Sequence, residues 1–91
     1  PARGLYKEFP HRQRDEAVRT GTFGAAAMIY AARSLGLGST PMIGFNPEAV
    51  HREFGLTADE VPVMLLSVGA ERPGNWAQKP RRPVAEVLDL V

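Results

Sequence analysis

Two groups of residues in this chain have the types and spacing to hold a ligand. One is the basic cluster Lys79-Pro80-Arg81-Arg82-Pro83. Arginine presents a planar fork matched to phosphate oxygens, and lysine presents a mobile point charge. The same cluster also reads as a solvated basic tail. The other group is the run Pro41-Met42-Ile43-Gly44-Phe45, which follows the helix-forming stretch AAAMIYAARSLGLGST. Pro41 removes a backbone donor and blocks further helix, and it drives Thr40 toward an extended conformation. The result is a rigid apolar ribbon whose free N–H groups, rather than its side chains, are expected to face a ligand. Such a surface suits a flat, polar-edged molecule. Read alone, the run is equally a buried connector.

Side-chain catalysis has little to work with. The chain has no cysteine, which removes disulfides, thiolate metal sites and cysteine nucleophiles. His11 and His51 lie far apart with no companion at ligand spacing, so a metal centre is not expected. Asp15-Glu16 and Asp59-Glu60 are adjacent rather than facing pairs, a poor arrangement for general acid–base work. A net charge of +1 over 91 residues carries no nucleic-acid footprint. No apolar run approaches the roughly 20 residues of a membrane span, and no secretory signal opens the chain, so a soluble, cytoplasmic protein is expected. The hydrophobic content of 44% is that of a globular chain, of a size that buries barely enough apolar surface to stand alone.

The elements that position these groups follow from periodicity and punctuation. Residues 1–10 contain two prolines, a glycine and no period, and read as a connector; a start on Pro-Ala-Arg suggests a processed or partial chain. A helix is expected from about His11 to Leu35, with Val18, Thr22, Ala25, Ala26, Ile29, Ala32 and Leu35 on one face. Phe23, Ala27 and Tyr30 make the opposite face apolar as well, which is unsuited to a monomer surface. Gly36 and Gly38 are expected to supply the left-handed residues of its C-cap. Asn46 as N-cap and Pro47 at the first helical position open a short helix to about Phe54, ended by Gly55. Thr57 to Glu60 read as a polar turn. Val61 to Val68 reads as one strand buried on both faces, with Pro62 at its start or on an unpaired side. Gly69 to Pro80 is a loop holding Trp76. Residues 79–91 form a basic, then apolar tail in which Pro83 opens a short helical turn. A lone strand leaves both edges unpaired, so its partners are expected from another segment or another subunit.

The run from Val18 to Asn46 with its LGLGSTPMIGF turn, then NPEAVHREFGL, VPVMLLSVG and KPRRP, carries a resemblance. Over roughly the last 70 to 75 residues it resembles the C-terminal half of the FMN-dependent nitroreductase family, well beyond a single-motif likeness. The resemblance implies an α+β fold, with a mixed or antiparallel sheet flanked by helices in an intertwined homodimer. It implies FMN at the dimer interface and hydride transfer from NAD(P)H to nitroaromatics, quinones or similar small-molecule acceptors. By the same resemblance Pro41, Ile43 and Gly44 face the flavin, and Ile43 offers its N–H to flavin N5. The family often has an acidic residue where this chain has Ile43; a backbone contact survives that change. Lys79 and Arg81 then hold the FMN phosphate, while Arg82 stays on the surface. The family's N-terminal arginine and serine cluster has no counterpart here, so the chain is expected to supply half a flavin site, with the rest from an N-terminal half of the same fold. The lack of a catalytic side chain agrees with this, since flavin carries the chemistry itself. The alternative is a non-enzymatic chain that serves only as an interaction module.

Overall fold

In the computed structural model, which describes residues 2–91, the fold is organised by one long helix. A short helix α1 (Ala2–Tyr6) precedes α2 (Pro10–Ser34), whose 25 residues extend about 37 Å at 1.5 Å each. Part of the segment read as a connector is therefore helical. Pro10 sits in the first turn of α2, where its missing N–H costs nothing. No side chain caps that turn. The entry is fixed instead by Gln13, whose amide donates to the Tyr6 carbonyl at 2.8 Å, and by the Arg12 guanidinium 4.1 Å above the Phe9 ring.

Both principal helices end in the same way. After α2 the Gly36 N–H donates to Arg33 O and the Leu37 N–H to Ala32 O, with Gly36 at φ +74. After α3 (Pro47–Glu53) the Gly55 N–H donates to Arg52 O and the Leu56 N–H to His51 O, with Gly55 at φ +61. Each is the paired-bond C-cap that a left-handed glycine permits. Gly38, expected to share that duty, has no positive φ and belongs to a strand. Asn46 caps α3 as expected, its Oδ1 accepting the Ala49 N–H at 3.0 Å.

The largest departure from the sequence reading is in the sheet. The start of the ribbon, Pro41 and Met42, is the end of a strand, β1 (Gly38–Met42), paired antiparallel with β2 (Leu65–Gly69) from Gly38 opposite Gly69 to Met42 opposite Leu65. The strand expected to be alone thus has its partner within the chain. Pro41 obscured this, because a proline argues against a ladder; both strands of a two-stranded sheet are edges, where proline is tolerated. β2 also starts later than expected and is half-buried at Leu65 and Leu66 and exposed from Ser67 on, rather than buried on both faces. Val61 to Met64 lie half-buried ahead of the strand. There Val63 approaches α2 so closely that a Cβ on Gly21 would stand 3.2 Å from its Cγ2.

One stripe of α2 covers this sheet. Val18, Ala25, Ala26 and Ile29 are half-buried and Ala32 is buried, while Thr22 and Leu35 of the expected stripe are exposed. Among the described residues Ala32 is the one buried hydrophobic side chain. The opposite face of α2 has no cover, with Phe23 78% and Tyr30 77% exposed. The radius of gyration is 17.4 Å, against about 12 Å for a compact domain of this length. The accessible surface is 8430 Å², roughly 3,000 Å² more than a folded monomer of 9.9 kDa presents.

These dimensions lead to the expectation that the isolated 91-residue chain is not a stable monomer. Sedimentation and thermal melting of the purified chain check it; a single-chain species with a sharp cooperative transition would contradict it. A local prediction concerns the turn after α3. The Glu60 carboxylate accepts the Thr57 N–H at 3.0 Å, and its pKa is lowered by that backbone bond first, then by the Thr57 side chain and, more weakly, by His51. A lowered carboxylate pKa gives a contribution present above the unfolded value and lost as pH falls through the folded one. In the assembled protein an NMR titration should place the Glu60 midpoint below that of an ordinary glutamate, and Thr57→Pro should remove the difference.

Candidate functional site

The ribbon is positioned from both sides. Its first half is held in the β1–β2 ladder and against α2, and its far end runs into the Asn46 cap of α3. Between these anchors Ile43 and Gly44 leave the sheet. Among the described residues no protein acceptor takes the Ile43 or the Gly44 N–H. Ile43 is 73% exposed, and a Cβ built on Gly44 meets nothing within 4 Å. Gly44 has no positive φ, so its backbone does not demand glycine. What glycine supplies there is open space beside two unclaimed donors, where another molecule can approach the main chain.

The basic pair lies elsewhere in the chain. Beyond β2 the backbone turns at Gly74 (φ +96) and runs without strand or helix to the 3₁₀ turn Val84–Glu86, which Pro83 precedes as expected. Lys79, Arg81 and Arg82 are all exposed on this segment. Their partners differ. Arg82 Nε is 3.2 Å from the Glu86 carboxylate. Arg81 faces the Gln78 side chain, whose amide, turned with its oxygen inward, accepts from Arg81 Nε and Nη2, both at 3.1 Å. Lys79 has no hydrogen bond or ion pair among the described residues.

Pro41, Ile43 and Gly44 are therefore together, and Lys79 and Arg81 are together, but the chain does not close the two groups into one pocket. The principal contacts between elements are those of β1 with β2, α2 with β1 and α1 with α2. A concavity of about 520 Å³ lies at the other end of the ladder, between Gly38–Thr40, Ser67–Gly69 and the 70–75 loop. It includes none of the five expected residues. Its hydroxyls, Ser39, Thr40 and Ser67, come from two strands distant in sequence, and no spacing rule marks them. His51, given no chemistry by the sequence reading, is half-buried and bonds the Thr57 carbonyl at 2.7 Å, closing the turn after α3. Among the described residues no group of three or more His, Cys, Asp or Glu is placed to hold a metal ion. None of the described helices is long and apolar enough to cross a membrane.

Comparison with known proteins gives this arrangement its context. Residues 2–70 match the Nitroreductase family. A Bacillus subtilis protein named as the NAD(P)H nitroreductase MhqN is 32% identical over 82 residues, which are 87% of this chain and 39% of the relative. A Streptomyces coelicolor protein named as an NADH dehydrogenase/NAD(P)H nitroreductase is 37% identical over 79 residues, 87% of this chain and 38% of the relative. The crystal structure of a Bacillus subtilis protein described as the nitroreductase YdfN superposes with a TM-score of 0.82 at 32% identity, covering 89% of this chain and 40% of that one. The chain thus spans about two-fifths of the length of these relatives. With a family match over most of its length and a shared α+β fold, this chain belongs to the nitroreductase family.

Proposed function

We propose that the chain is the C-terminal part of an FMN-dependent NAD(P)H oxidoreductase, active as a homodimer completed by an N-terminal half of the same fold. Its substrates in this reading are NAD(P)H and a nitroaromatic, quinone or similar small-molecule acceptor. The observation that carries the reading is the ribbon of a nitroreductase-family chain that leaves the Ile43 and Gly44 N–H groups free beside open space. The MhqN relative and the Streptomyces coelicolor relative, both named for NAD(P)H and nitroreductase activity, support the substrate class.

The residues present fit the cofactor. FMN, when bound, supplies the hydride chemistry, and the protein's part is to bind, orient and shelter it. Pro41 stiffens the approach to the turn, Ile43 would offer its main-chain N–H to the flavin, and Gly44 would leave the backbone bare for the ring to approach. Ile43 contributes no titratable group, so the chain tunes the flavin by a fixed dipole alone. In the basic cluster, Lys79 has no partner among the described residues and Arg81 is held only by a neutral amide, so both are open to a phosphate, whereas Arg82 is already satisfied by Glu86. A carboxylate-paired arginine would have to give up that pairing, whereas Arg81 keeps its full charge for an incoming anion.

Assembly belongs to the same reading. An excess of roughly 3,000 Å² on one chain is of the order that obligate interfaces bury, and the bare face of α2 with Phe23 and Tyr30 is part of it. A chain that served only as an interaction module would need the same cover. The two differ in colour: the assembled oxidoreductase is yellow, and its flavin absorbance bleaches on adding NADH or NADPH, whereas the module is colourless and inert.

Two variants test the site in the assembled protein. Gly44→Val should weaken FMN binding about tenfold or more by filling the space the ring needs, with the helix content unchanged. Unchanged flavin content after denaturing release would show that the ribbon does not line the site. Replacing Lys79 and Arg81 together with Ala should lower FMN affinity on the order of a hundredfold, since charge-assisted bonds contribute about 1.5 to 3 kcal/mol each. Riboflavin, which lacks the phosphate, should bind almost as before. Equal losses for both ligands in a fluorescence titration would mean that the pair acts through packing or dimerisation.

A further inference from the structure

Gln78 and Arg81 are joined through Lys79 and Pro80. Pro80 locks its own φ and keeps Lys79 out of helical backbone, so the link is short and stiff. Across it the Gln78 side-chain oxygen accepts from both Arg81 Nε and Arg81 Nη2, each at 3.1 Å. The oxygen must face inward, because the amide NH₂ would otherwise point at two guanidinium donors. A guanidinium offers its donors along a side edge and an end-on fork. Gln78 fills the side edge, formed by Nε and Nη2. The end-on fork, formed by Nη1 and the remaining hydrogen of Nη2, has no hydrogen bond or ion pair among the described residues.

The neighbouring Arg82 is held differently, with its Nε on the Glu86 carboxylate. A carboxylate orients a guanidinium but also cancels its charge, whereas an amide orients it and leaves the charge whole. We propose that Gln78 is a positioning residue for Arg81: it clamps the side edge of the guanidinium, so that the end-on fork is presented, oriented and fully charged, to a phosphate. The proposal rests on the assignment of Arg81 to the FMN phosphate. It adds which edge of Arg81 receives the phosphate, and it requires the clamping residue to be neutral. Gln78 itself touches no ligand. Lys79, a point charge with no such edges, does not depend on it.

The test is titration of the assembled full-length protein with FMN and with riboflavin, folding being monitored by circular dichroism. Gln78→Met, which keeps the length of the side chain but not the acceptor, should weaken FMN binding about three- to fivefold and leave riboflavin unchanged. Gln78→Glu keeps the clamp but sets a negative charge against the fork, and should weaken FMN at least as much. In an Arg81→Lys background, which has no side edge to clamp, Gln78→Met should add nothing; in a Lys79→Ala background it should keep its full effect. Unchanged FMN affinity in Gln78→Met, or equal weakening for both flavins, overturns the clamp. Unchanged FMN affinity in Gln78→Glu overturns the requirement for a neutral partner. The Lys79→Ala, Arg81→Ala variant run alongside separates the two levels. An FMN-selective loss there with none at Gln78 overturns the positioning role alone, whereas no such loss there removes the phosphate assignment and the positioning role with it.

Discussion

The contact between α2 and the β1–β2 ribbon is the interaction on which the other features of this chain depend. It is made by small residues. Gly21 admits Val63 to within van der Waals contact of the helix backbone, and Ala25 and Ala32 keep the helix low over the strands. Such packing brings backbones close but buries little side-chain area, and burial is the main favourable term in folding. One buried alanine is far from what ordering ninety residues requires. The geometry of the ribbon is therefore set within the chain, while its stability is drawn from whatever covers the outer face of α2 and the free strand edges. Under the proposed function, with a flavin site at a subunit interface, that division would make cofactor retention and assembly two readings of one equilibrium.

The sequence disclosed the helical half of the fold well, because helix signals are local. Period, N-cap asparagine, first-turn proline and C-cap glycine each act within a turn or two, and α2, α3 and both of their ends appear where those residues place them. The sheet was less legible. Pairing joins Gly38–Met42 to Leu65–Gly69 across an intervening helix, and no local residue announces such a partner. Pro41 pointed away from it. Gly38 was misread for a related reason: within its own neighbourhood it looks like a helix cap, and only the distant Glu71, whose Cγ would stand 2.6 Å from a Cβ there, explains it. The ribbon was legible as an exposed backbone surface since proline and glycine fix backbone properties directly. The relation of Lys79 and Arg81 to that surface was not, because their segment has no periodic anchor and meets no other element extensively.

The cluster at Lys79, Arg81 and Arg82 shows how neighbouring like charges take different duties. Three cations in four residues repel one another, and each gains from a partner or from dispersal into solvent. Glu86, one helical turn beyond Arg82 in the Pro83-led 3₁₀ segment, removes that charge from competition. Gln78 orients Arg81 without neutralising it. The outcome is a directed guanidinium and a mobile ammonium side by side, a pairing that combines the geometric selectivity of one with the reach of the other.

A site that works through the main chain is tolerant in one respect and demanding in another. At Ile43 any non-proline residue can offer an N–H, so the identity of the side chain there does not affect the donor. Direction, by contrast, is set by the anchors on either side: the ladder up to Met42 and the Asn46 cap on α3. Displacing either anchor re-aims both N–H groups at once, because the span between them is too short to absorb a shift. Residues outside the turn, Asn46 among them, thereby control the orientation of its two free donors. The candidate centre is thus built from a glycine, a proline and a helix cap, and its geometry is carried by the backbone rather than by an acid, base or nucleophile.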